Sequence, residues 1–94
     1  MIKLSNSQTK TDILKRLSRI EGQLRGVQKM INEDRDCSEV VQQLIAIRSA
    51  VHSASLTYVQ DAASECILNP DFNENQHTQQ QNLADLVKLL GKLS

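Results

Sequence analysis

Between Thr11 and Asn32 the apolar residues Ile13, Leu17, Ile20, Leu24, Val27 and Ile31 advance by 4, 3, 4, 3 and 4 positions. That heptad rhythm predicts an amphipathic helix over about 11–32, with Thr9 as its N-cap and Asp12 three residues on. Gly22 and Gly26 lie one turn apart inside it. Each costs about 1 kcal/mol of helix propensity relative to Ala. Close approach of another helix and simple local tolerance both explain them. The polar break Asn32-Glu33-Asp34-Arg35 follows. Asp36 can then cap a second helix, with Glu39 completing a capping box. This helix is predicted over 36–68, because the residue before Pro70 is steered out of helical geometry. Its stripe comprises Cys37, Val41, Leu44, Ile47, Val51, Ala54, Tyr58, Ala62 and Cys66. Residues 69–82 are polar and read as a linker. A third helix is expected over about 78–93, with Leu83, Leu86, Val87, Leu90 and Leu93 on one face and Thr78 with Gln81 as a second capping box.

The fold class is therefore all-α, three helices in a single domain spanning residues 1–94. A chain of 94 residues buries a small core. One Phe, one Tyr and no Trp leave the packing to aliphatic and small residues. The second helix is too long to bury its stripe against the first alone, so an antiparallel dimer is expected.

Zero net charge conceals a strong asymmetry. Residues 1–29 carry seven basic and two acidic side chains, and the remainder carries four basic and nine acidic ones. A basic first segment suggests an anionic partner at that end, although a solvated helix face accounts for the charge equally well. No apolar h-region follows Met1, and no apolar run approaches the roughly 20 residues of a membrane span. The expected location is the cytoplasm, with no membrane partner. Thiols are kept reduced there, so two cysteines point to reactivity or metal binding more than to a static staple.

Cys37 and Cys66 are 29 residues apart on one predicted helix. That is roughly eight turns, so both fall on the same face, about 43 Å apart along the axis. A disulfide needs Cα atoms within about 7 Å, which excludes an intramolecular bond or a shared intramolecular ion. Two antiparallel copies would instead set Cys37 of one beside Cys66 of the other, twice per dimer. Cys37 lies in the first turn, where free amides and the helix dipole favour a thiolate. It is expected to attack and Cys66 to resolve. Burial as small apolar residues is the plain alternative for either cysteine alone; their shared phase favours a functional pair.

With RLSRIEGQLRGVQKMI (Arg16 to Ile31), DCSEVVQQLIAIRSAV (Asp36 to Val51) and the SEC ending at Cys66 in view, nearly the whole chain resembles the copper-sensing operon repressor (CsoR) family. Other branches of that family sense nickel or cobalt, formaldehyde and persulfides. The resemblance implies a homotetramer, a dimer of dimers around antiparallel four-helix bundles. It implies binding to double-stranded operator DNA and release when an effector acts. The copper branch uses a Cys-His-Cys set, whose cysteines match Cys37 and Cys66 and whose His falls on Ala62. The Tyr that precedes the first Cys in some copper sensors is Asp36 here, and an outer Glu falls near Asp85. His52 and His77 match no nickel-branch position, and Ile2 stands where the formaldehyde branch has Pro. A Cys pair without His resembles the persulfide-sensing branch (CstR), in which sulfane sulfur links the two thiols between subunits and derepresses sulfide-detoxification genes. The favoured effector is thus a persulfide or polysulfide, with no resident cofactor. Cu(I) held by the two soft thiolates is the alternative.

The DNA-facing candidates are Lys10, Lys15, Arg16, Arg19 and Arg25, with Arg48 and neighbouring His52 as an extension and Gln23 as a base or helix contact. Solvation is a slightly better account of Arg48 and His52. The chain lacks a helix-turn-helix motif, and it lacks a Gly-rich or anion-cradling loop near Cys37 that a thiol enzyme would use. A bare coiled-coil module explains the heptads but not two in-phase cysteines.

Overall fold

The computed structural model describes residues 7–68 and 76–93, with side chains described for 7–64 and 80–93. Three helices run in order: α1 (Ser7–Asn32), α2 (Cys37–Leu68) and α3 (Gln76–Leu90), closed by a 3₁₀ turn at Gly91–Leu93. The all-α expectation holds, and both predicted ends of the first connection fall within a residue of the observed ones.

α1 starts earlier than its apolar pattern. Thr9 lies inside the helix rather than capping it. Polar side chains carry the extra turn: Thr11 Oγ1 donates to the Ser7 carbonyl at 2.8 Å, and Gln8 Nε2 donates to Asp12 Oδ1 at 3.1 Å. These one-turn bonds support a segment that has no apolar face of its own.

α1 ends in a Schellman motif. Arg35 N–H reaches back to the Met30 carbonyl at 3.0 Å, and Asp34 N–H to that of Ile31 at 3.1 Å. Asp34 takes the left-handed conformation (φ 54°) that this motif needs and that glycine usually supplies. Asp36 then precedes α2, and its carbonyl accepts from the amides of Glu39 and Val40. The expected capping box does not close. The Glu39 carboxylate turns instead to Arg35, 2.8 Å from the guanidinium, and Asp36 Oδ2 accepts from the Ser38 hydroxyl.

The turn folds α2 back along α1, and the heptad seam divides. Ile13, Ile20 and Val27 are 5–7% exposed, and Ile20 and Val27 pack with Ile47 and Ala54 of α2, flanked by Val40 and Ala50. The intervening Leu17, Leu24 and Ile31 remain 43–57% exposed. One row of the seam thus builds the hairpin core and the other is left open. Gly22 and Gly26 lie on neither row. A Cβ on either would meet nothing within 4 Å among the described residues, so neither serves a close helix approach there.

α3 packs against α2. It begins at Gln76, two residues before the expected start, so Thr78 is inside the helix rather than at its cap. Gln81 donates to Asp85 Oδ1 at 3.0 Å, which removes it from any capping box. Residues 69–75, including the expected stop at Pro70, lie outside the described residues. No helix among the described residues is long and apolar enough to cross a membrane.

Candidate functional site

α2 is one uninterrupted helix of 32 residues carrying a cysteine near each end. Its length keeps Cys37 and Cys66 some 43 Å apart at 1.5 Å per residue, so they cannot meet within the chain. Cys37 occupies the first position of α2 and is an exposed free thiol. Cys66 lies in the last turn of the helix, and its side chain falls outside the described set. Ala62, one turn before it, is buried at 3% exposure. A methyl group therefore fills the place where the copper branch of the resembled family has an imidazole. Among the described residues no three His, Cys, Asp or Glu side chains come together to hold a metal. Asp85, matched to an outer carboxylate of that branch, accepts from Gln81.

The open face beside Cys37 is apolar. Val41, Leu44, Val51 and Tyr58 of α2 are exposed, as are Leu17, Leu24 and Ile31 of α1. Where α3 and the 3₁₀ turn lean over this face, Ile13, Leu17, Val51, Tyr58 and Leu89 border an open apolar hollow of about 460 Å³. Isolated exposed apolar residues are ordinary, but a row of this length marks a contact surface.

The other face of the hairpin is polar and basic. Arg16, Arg19 and Gln23 of α1 line a shallow cleft with Ala50 and Ser53 of α2. Arg16 Nη1 donates to Ser53 Oγ at 3.4 Å, a long bond that leaves the guanidinium accessible. Gln23 Oε1 is buried in the cleft without a hydrogen-bond donor among the described residues. Lys15 adjoins Arg16 on the exposed surface.

The remaining basic candidates are dispersed. Lys10 is nine residues from Arg19, about 180° round α1. Arg25 pairs with Glu21 at 3.6 Å. Arg48 is five residues from Ser53, about 140° round α2, which puts it on the apolar face and away from the cleft. His52 borders a hollow with Leu56, Val87 and Leu90, toward α3. The structure thus gathers Arg16 and Arg19 with Lys15 beside them, and separates Lys10, Arg25, Arg48 and His52. Sequence reasoning missed Ser53. Reflecting the chain about the turn at Asp34–Arg35 would have set it opposite Arg16.

Comparison with known proteins supplies the context. The family described as metal-sensitive transcriptional repressor matches residues 9–92. The copper-sensing transcriptional repressor RicR of Mycobacterium tuberculosis is 41% identical over 61 residues, 65% of this chain and 64% of that protein. The copper-sensing transcriptional repressor CsoR of Bacillus subtilis is 39% identical over 62 residues, 66% of this chain and 61% of that one. The chain thus spans a little under two thirds of these curated relatives. Among solved structures, the nickel-responsive regulator InrS superposes with a TM-score of 0.70 at 33% identity, covering 98% of this chain and 97% of its own. The copper-sensing repressor CsoR with Cu(I) from Geobacillus thermodenitrificans gives a TM-score of 0.75 at 28% identity over 98% and 92%. These names favour metal sensing, the alternative from the sequence, over persulfide sensing. The family consists of repressors rather than enzymes. With three helices in the same arrangement and a match over almost its full length, this chain belongs to the family of metal-sensitive transcriptional repressors.

Proposed function

We propose that this chain is an operator-binding repressor whose DNA affinity is switched at a Cys37–Cys66 thiol pair shared between two antiparallel subunits. The observation that carries the reading is the placement of two cysteines at opposite ends of one continuous α2. Neither thiol can find the other within its own chain, and a two-fold axis across the apolar face brings them together twice. The Arg16–Arg19 cleft, on the opposite face, supplies cations for phosphates, with Lys15 beside it and Lys10 and Arg25 further round. Two such dimers assembled as a tetramer would multiply this basic surface.

Cu(I) is the effector that the copper-sensing relatives favour. Two thiolates can hold this soft ion without a third ligand. A second reading, reactive sulfur, is favoured by buried Ala62, which removes the imidazole donor and leaves chemistry that two thiols complete unaided. One thiolate attacks the sulfane sulfur of a persulfide and expels a thiolate. The second thiol then attacks the resulting persulfidated cysteine, and a disulfide between subunits forms as hydrosulfide leaves.

The experiment treats reduced protein separately with Cu(I) and with a small-molecule persulfide, following intact mass and operator binding. Copper bound at one ion per thiol pair with loss of DNA supports the metal reading. A covalent dimer mass with loss of DNA supports sulfur. Ala62→His sharpens the choice: it should tighten Cu(I) binding about tenfold or more by adding the missing donor, with little gain in persulfide response. DNA binding that survives both treatments, or persists unchanged in Cys37→Ala protein under both, overturns the switch.

A further inference from the structure

Arg48 is exposed, and no hydrogen bond or ion pair among the described residues engages it. Its position is unusual for a free cation. It follows Leu44 by four residues and precedes Val51 by three, within an open row that is mostly apolar and carries no other charge. Two hydroxyls lie on that row, those of Ser55 and Tyr58; Ser55 is half-buried at the rim of the apolar hollow. A cation and a hydroxyl seven residues apart on a self-pairing face have a consequence for register.

In the antiparallel pairing that sets Cys37 beside Cys66 of the second copy, a residue n positions after Cys37 faces one n positions before Cys66. Arg48 is eleven after the first and Ser55 eleven before the second. Arg48 therefore faces the partner subunit's Ser55. In the same register Leu44 faces the partner's Val59 and Ile45 faces the partner's Tyr58, so apolar residues meet apolar residues. Sliding the helices by one heptad in one direction sets Arg48 against the partner's Arg48. Sliding them the other way sets it against the partner's Ala62, which offers no acceptor. The two slips therefore leave a like-charge contact or an unpaired cation, while the matched register makes a charge-assisted hydrogen bond twice.

We infer that Arg48 is a register-setting residue of the dimer, donating to the partner subunit's Ser55 and thereby holding each Cys37 opposite a Cys66. This rests on the antiparallel thiol-pair reading above and assigns Arg48 to the subunit interface rather than to DNA. It is a positioning residue. Eleven residues of helix put it some 16 Å along the axis from the nearer thiol pair, beyond direct contact. A single polar group on an apolar helix seam fixes alignment in the same way in coiled coils, where it excludes slipped pairings at some cost in stability.

The test measures how fast the full-length reduced protein forms the inter-subunit disulfide with diamide, which accepts the two electrons and two protons released by the thiols. Arg48→Ser should slow this at least about fivefold, the scale of one missing charged hydrogen bond. Ser55→Arg should slow it further, because it opposes two cations. The exchange Arg48→Ser with Ser55→Arg restores the complementarity with its polarity reversed, and should recover a rate within about twofold of the parent. General destabilisation cannot produce that recovery. The salt dependence of operator binding for Arg48→Ser should match the parent. Three results each overturn the assignment: cross-linking at the parental rate in Arg48→Ser, no recovery in the exchange, or a salt slope smaller by about one, the signature of a phosphate-binding cation. A parent protein that forms no inter-subunit disulfide overturns the thiol pairing itself, and this register with it.

Discussion

The two open faces of the α1–α2 hairpin come from the same helices, and almost nothing else about them is alike. One presents Leu17, Leu24, Val41, Leu44 and Val51, apolar groups exposed in a row. The other presents Arg16, Arg19, Gln23 and Ser53 around a cleft with Ile20 and Ala50 at its floor. The first face costs free energy while it stays in water, at roughly 25 cal/mol per Å² of apolar surface, so it calls for a partner of like chemistry. The second is well solvated and gains from a partner only by exchanging counterions for phosphates. A subunit built this way can join its copy through one side while the other remains open to DNA, and exposed Cys37 lies beside the joining side. On the proposed reading, an effector at the thiol pair acts on the DNA side through the packing of α1 on α2.

The sharpest way to break the contrast is to put a charge on the apolar face. Leu44→Glu should raise the dimer dissociation constant about 30-fold or more, the cost of at least about 2 kcal/mol for a disrupted interface centre. Monomeric helix content should persist, because Leu44 lies outside the Ile20–Val27–Ile47–Ala54 core. Analytical ultracentrifugation beside circular dichroism reads both quantities. Loss of helix together with loss of the dimer would mean that the hairpin does not stand apart from its partner.

The matching change on the basic face is Arg16→Ala with Arg19→Ala. Operator affinity should fall about tenfold or more at physiological salt, and the slope of log K against log salt should shrink by about one for each phosphate no longer neutralised. Assembly should be untouched, since neither residue is on the apolar face. Lys10→Ala, on the far side of α1, should change both far less. Equal effects of Lys10 and the arginine pair would dissolve the distinction between the faces, leaving diffuse charge as the cause of binding.

Much of this is legible in the residues alone. The 4-3-4-3-4 steps of α1 and the in-phase cysteines of α2 predict both helices, the connection between them and the impossibility of an internal disulfide. Periodicity could not say which half of the heptad seam faces inward, because Ile13, Ile20 and Val27 are no more apolar than Leu17, Leu24 and Ile31. Only the direction of the turn decides that, and the turn depends on Asp34 at positive φ. The same choice sorts the cations: Arg16 and Arg48 look alike in sequence, yet the packing sends them to opposite sides. Capping was the least legible feature. Thr9, Glu39 and Gln81 each had a residue type suited to a cap, and each met a nearer partner or lay within a longer helix.

The turn that separates the faces offers the smallest and cleanest test. Asp34 holds a left-handed conformation that costs L-residues roughly 1–2 kcal/mol, less for Asp, whose short polar side chain tolerates it. Glycine meets the same Schellman geometry without that cost, offset in part by its greater freedom in the unfolded chain. Asp34→Gly should therefore stabilise the protein by about 0.5 kcal/mol, seen as a small rise in the denaturation midpoint with the m-value unchanged. Asp34→Val, β-branched at positive φ, should destabilise it by more than glycine gains. Neither substitution touches the thiols or the arginine cleft, so operator affinity of the folded protein should stay within about twofold of the parent. If Asp34→Gly alters DNA binding or thiol cross-linking beyond that, the turn sets the relative rotation of α1 and α2 and not merely their connection, and the two faces are coupled through it.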